Sequence, residues 1–149
     1  MRLAAFAAAM LAALVGLGCA RQEDASVPDA CTAGEDEVRR ALEEAPGEVR
    51  LDGLRLSECL PTRADAIQVQ EVGAVFVETG AHLAEEARAD PAGPPALRLG
   101  YLVGAVRNAA SRTQGIHDEL RRRMEQELTL IDTRSPAFRE GERAGRTSG

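Results

Sequence analysis

Two apolar stripes at three-and-four spacing, parted by one strong breaker, constrain this chain more than any other feature. Val69, Val72, Phe76, Leu83 and Ala87 mark the first stripe. Leu99, Leu102, Val103, Val106, Ala110, Thr113, Ile116, Leu120, Met124, Leu128 and Ile131 mark the second. That period places each set on one face of an α-helix. Between them stands Asp90-Pro91-Ala92-Gly93-Pro94-Pro95, which no helix can cross. The pattern predicts two antiparallel helices joined at residues 90–95. The second helix is predicted from about 97 to 132, roughly 50 Å long at 1.5 Å per residue and bent at Gly115. The β-branched density of Val69–Val77 makes a strand the competing reading of the first stripe.

The segments before the hairpin are shorter. Thr32 and Glu35 form a capping-box pattern ahead of Val38, Ala41, Leu42 and Ala45, so a short helix is expected up to Pro46-Gly47. Val49-Arg50-Leu51 and Leu54-Arg55-Leu56 alternate on either side of Asp52-Gly53, a strong β-hairpin signal. Thr62 with Asp65 caps the start of the first long helix. Residues 134–149 are rich in Gly, Arg and Ser and are expected to be disordered. The expected fold is therefore mainly α: a small helical bundle on a long antiparallel helix hairpin, with a short N-terminal helix and a β-hairpin.

Composition limits how large that core can be. Of 66 apolar residues, 15 fall within residues 1–18, and only 26 Val, Ile, Leu or Phe remain in the 131 residues that follow. This excludes a multidomain protein or one large core. With a net charge of −6, no Lys and no Trp, the chain is acidic and a poor partner for nucleic acid.

The N-terminal block reads as an address. Met1-Arg2 precedes an uncharged apolar run, Leu3–Leu17, too short for a bilayer span and suited to a secretory signal. The following Gly16-Leu17-Gly18-Cys19 resembles the lipobox of bacterial lipoprotein precursors, although Gly16 stands where that family usually has Leu. The resemblance covers the leader alone. It implies lipidation of Cys19 and tethering on the extracytoplasmic side of a membrane in the cell envelope. Cleavage after Ala20 (giving a secreted soluble protein) and an uncleaved anchor are the alternatives. If Cys19 is lipidated, Cys31 and Cys59 remain to pair in an oxidising compartment; the cut after Ala20 leaves the same two. The expected organisation is a signal peptide over 1–18, a flexible tether over 19–30, a helical domain over 31–133 and a disordered tail over 134–149.

Chemistry-bearing clusters are few. Glu78, His82 and Glu85 share a helical face and, with His117-Asp118-Glu119, invite comparison with helical metal sites. In the expected hairpin His117 lies some 20 Å beyond the level of His82, so a solvated acidic face is the stronger reading. Arg121-Arg122-Arg123 has acids four residues away on both sides, the lacing of an exposed helix. Gly100 and Gly104 mark close approach of a neighbouring helix, with Gly73 and Gly80 as candidate partners. Asn108, Ser111, Thr113 and Gln114 suit helix capping or a ligand-facing groove. There is no phosphate loop, no Cys or Ser placed near a His and no paired-Cys metal motif, so neither an enzyme nor a cofactor is expected. The functional expectation is a membrane-tethered module for protein–protein contact or self-association. Its alternative is a binding module for a small ligand, or less readily a metal ion, between the helices.

Overall fold

The computed structural model describes residues 26–113 and 115–149, so the leader and Cys19 lie outside the described residues. The architecture is mainly helical: α1 (Glu35–Ala41), the strands β1 (Arg50–Leu51) and β2 (Leu54–Arg55), α2 (Ala66–Ala89), α3 (Pro94–Ala110), α4 (Ile116–Glu127) and α5 (Pro136–Ser148). The strands form an antiparallel hairpin that pairs Arg50 with Arg55 and Leu51 with Leu54. Asp52 at φ 49° and Gly53 at φ 82° make its turn, with both central residues at positive φ as a tight hairpin requires.

The region Val69–Val77 is helical, so the periodicity outweighs the β-branched density. Asp65 caps α2, its carboxylate accepting a hydrogen bond from the Ile67 backbone N–H at 2.8 Å. The breaker at 90–93 turns the chain into α3, which starts with Pro94 in a first-turn position that needs no N–H.

The second arm of the hairpin differs from expectation. It is not one bent helix from 97 to 132 but two helices, with α3 ending at Ala110 and α4 starting at Ile116. Gly115 adopts φ 78° and ψ −116°, a conformation that breaks the helix outright. The Ser111 hydroxyl donates to the Asn108 carbonyl at 2.7 Å and Thr113 to that of Ala109 at 3.5 Å, occupying acceptors at the end of α3. The apolar stripe continues through the break because both helices face the same core.

Residues 136–148 form α5, which corrects the expectation of a disordered tail. Ser135 caps it by accepting a hydrogen bond from Phe138 N–H at 3.2 Å, and Pro136 occupies the first turn. The expected tether also ends sooner. Val27 is buried, its N–H donating to Gln68 Oε1 at 3.4 Å, and Asp29–Thr32 forms a 3₁₀ turn. Thr32 bonds back to the Asp29 carbonyl within that turn rather than capping α1, where Gly34 stands at the N-cap.

The core runs through the middle of α3, where Leu99 to Val106 are buried without interruption. A helix buried on all sides needs neighbours on all sides. α2, α4, α5 and the β2–α2 connection supply them. Tyr101 is fully buried with its hydroxyl accepting from the Val49 N–H at 3.3 Å, which ties α3 to the strand before the hairpin. The Cys31–Cys59 disulfide closes a 28-residue separation and links the incoming chain to the turn before α2. Beside Cys59, the buried Ser57 hydroxyl donates to the Gly149 carbonyl at 2.6 Å.

Candidate functional site

Two helix seams position most of the residues singled out by the sequence. Along the first, α3 and α5 run parallel with their backbones in contact. A methyl group on Gly100 would collide with the Phe138 carbonyl, and one on Gly104 with that of Glu142. Reciprocally, methyl groups on Gly141 and Gly145 would strike the carbonyls of Leu97 and Tyr101. Gly100 and Gly104 thus do meet a neighbouring helix, but its glycines are 141 and 145. Gly73 and Gly80, the expected partners, belong to the second seam.

There α2 and α4 run parallel, and each α2 glycine receives a side chain. A Cβ at Gly73 would lie 3.4 Å from Leu120 Cδ1, and one at Gly80 would lie 2.6 Å from Met124 Sδ. The outer face of this seam carries two clefts in which apolar side chains are flanked by polar and charged ones, among them Gln70, Glu119 and Arg123 at one end and Arg88, Gln126 and Glu127 at the other. Val69, Gly73, Ile116 and Leu120 line a narrow cleft at one end. Ala81, Ala84 and Leu130 line a second, roomier one at the other. Among the described residues, the exposed large apolar side chains are Ile67 at 66% and Leu130 at 72%, near these two ends.

Arg107 couples the seams. Its guanidinium donates to Glu142 of α5 at 2.6 Å and to Glu125 of α4 at 3.3 Å. Burial raises the pKa of Glu142, but hydrogen bonds and charge from Arg146 and Arg107 outweigh it and hold the carboxyl below its ordinary range. Arg121 and Arg123 make the expected i,i+4 pairs with Glu125 and Glu119, and Arg122 joins Glu119 at i,i+3. Asn108 reaches the Gly149 carbonyl at 3.5 Å rather than a ligand groove; Gln114 lies outside the described residues.

The metal candidates do not assemble. Among the described residues no three His, Cys, Asp or Glu side chains converge on a point where a metal could sit. Glu78 and Glu85 are exposed, and the His82 ring donates through Nδ1 to Glu35 of α1. That hydrogen bond, reinforced by the charge of Glu35, raises the His82 pKa. Arg39 completes the α1–α2 bridge, lying 3.5 Å from Glu35 and 2.6 Å from Glu86.

His117 departs furthest from expectation. It belongs to the α4 core face with Leu120 and Met124, only 4% exposed, and no described group partners its Nε2. Burial lowers its pKa more strongly than the nearby Pro61 and Leu60 carbonyls raise it. The spacing 117, 120, 124 was the available signal, hidden by the adjacent acids Asp118 and Glu119.

A separate cleft of about 520 Å³ opens where α3 and α5 begin, lined by Glu43, Ala45, Leu97, Arg98, Ala137 and Glu140 among others. Among the described residues, no helix is long and apolar enough to cross a membrane. No protein-family model, curated protein or solved structure matches the chain.

Proposed function

We propose that the chain is an exported helical module, held through a lipid on Cys19 on the extracytoplasmic side of a membrane, that works by contacting another protein. The Cys31–Cys59 disulfide carries this reading, because such a bond persists in oxidising compartments and is rare outside them. Val27 is already buried in the domain. Seven residues separate Cys19 from Val27, a reach of at most about 29 Å at full extension. The domain would therefore stay close to its anchor. The open α2–α4 face, with Ile67 and Leu130 at its ends, is the surface it would offer.

Intact mass of protein purified from the membrane fraction tests the anchoring. The expected species begins at Cys19, bears a diacylglyceryl group and is two daltons lighter than its reduced form. A chain beginning at Arg21 would replace the lipid anchor with secretion, and an unprocessed chain with free thiols would remove export altogether.

The α3–α5 cleft favours a second reading, a binding module for a small cationic or apolar molecule. Glu43 and Glu140 outnumber Arg98 in its lining. Thermal shifts with small amines that vanish in Glu43→Gln with Glu140→Gln would favour it over protein contact.

A further inference from the structure

His117 is a buried titratable group for which the proposed contact function has no use, and its surroundings give it a different one. It sits in the first turn of α4, immediately after the break at Gly115. The exposed N–H groups of a helix start make that place unfavourable for a positive charge. The residue is only 4% exposed, and its Nε2 has no hydrogen-bond partner among the described residues. A protonated imidazole must donate from both nitrogens, so the charged ring would bury an unanswered donor here.

The neighbouring elements compensate only in part. The Leu60–Pro61 segment contributes carbonyl oxygens, Arg112 beyond the end of α3 opposes the charge, and Asp118 of α4 itself favours it. α2 presents the uncharged Val69, Gln70 and Gly73 to the adjoining cleft. Meanwhile α4 is easy to release at this end. Gly115 supplies a hinge, and α4 meets α2 through Leu120 and Met124 side chains instead of interlocked backbones.

We infer that His117 makes the start of α4 an acid-released latch: protonation of the ring lifts Ile116–Leu120 away from α2 and Leu60–Pro61, while α3 and α5 stay joined. The opening widens the Val69–Leu120 cleft and exposes apolar surface on the α2–α4 face. The proton is taken up by the released ring, where water can solvate both nitrogens. With the docked ring neutral and the released ring at an ordinary histidine value of about 6.5, acidification from pH 7.5 to 5.2 raises the open population by up to about twentyfold. Protonation of His82 over that interval strengthens its bond to Glu35 instead.

Amide hydrogen exchange on the purified protein at pH 7.5 and 5.2, corrected for the intrinsic pH dependence, tests the latch. The expected result is at least tenfold faster exchange across 116–120 at pH 5.2, with less than a twofold change across 97–106 and 138–146. In His117→Gln, which keeps a polar side chain but cannot take the charge, the acid acceleration should disappear. Equal exchange of α4 at both pH values, or acceleration that persists in His117→Gln, would overturn the inference. Should His117→Gln fail to fold, His82→Gln leaves a single histidine for titration by NMR. Protonation of that ring in step with α4 opening supports the latch, whereas an ordinary titration with α4 still docked refutes it.

Discussion

The α3–α5 and α2–α4 seams both pass through glycines spaced along parallel helices, yet they are held in opposite ways. In the first, glycine meets backbone on both sides, and a methyl group at any of Gly100, Gly104, Gly141 or Gly145 would strike a carbonyl. In the second, glycine meets the flexible ends of Leu120 and Met124. A backbone contact has one solution, because neither helix can yield without moving as a whole. A side-chain contact can adjust by changing rotamer. The difference assigns α5 to the rigid part of the molecule and α4 to the adjustable part, where the orphaned His117 and the exposed Leu130 also lie.

The strongest way to break this contrast is to fill the rigid seam. Gly141→Leu with Gly145→Leu should expel α5, and trypsin should then cut at Arg139, Arg143 and Arg146 while the remaining chain resists. A double variant as resistant as the original would mean the backbones are not in contact. Next in size is removal of the disulfide that ties the incoming chain to the turn before α2. Cys31→Ser with Cys59→Ser should lower the unfolding free energy by about 3–4 kcal/mol in urea titration, from the loop-closure entropy of a 28-residue separation.

Arg107 joins the two seams by pairing with Glu142 of α5 and Glu125 of α4. Arg107→Met should cost about 1 kcal/mol at neutral pH, because its partners are only partly buried. Glu142 has a depressed pKa, so its share of that stability is present above the ordinary carboxylate range and is lost as pH falls through the lowered value. The cost of Arg107→Met should accordingly shrink in acid, which paired urea titrations at pH 7 and pH 3 would show. The smallest effect belongs to the adjustable seam. Gly73→Ala meets Leu120 at an ordinary 3.4 Å and should change stability by less than about 1 kcal/mol, with helix propensity favouring a gain. A thermal melt distinguishes that gain from a loss.

Legibility in the sequence followed the size of the side chains. The helical class, the Asp52-Gly53 hairpin and the Cys31–Cys59 pair were readable from large apolar stripes, turn chemistry and cysteine count. The α3–α5 seam was not. Phe138 is the one large apolar residue between Pro136 and Gly149, and the rest of the contact is made by backbone through glycine. Low hydrophobicity then looks like disorder, although Ser135-Pro136 is a helix-start signal and Gly141-Gly145 repeats the spacing of Gly100-Gly104. The break at Gly115 was masked because the apolar period ran through it. His117 was read with its acidic neighbours instead of with Leu120 and Met124, so its burial was missed.

Unfolding free energies of Gly141→Ala and Gly80→Ala, measured side by side, test the contrast most directly. Both add one methyl group to a helical glycine facing a neighbour. Gly141→Ala places it against the Leu97 carbonyl, which cannot turn aside, and should lose about 2–3 kcal/mol. Gly80→Ala places it against Met124 Sδ, which can rotate away, and should lose less than about 1 kcal/mol. Equal losses, or a larger loss at Gly80, would contradict the division into a rigid and an adjustable seam.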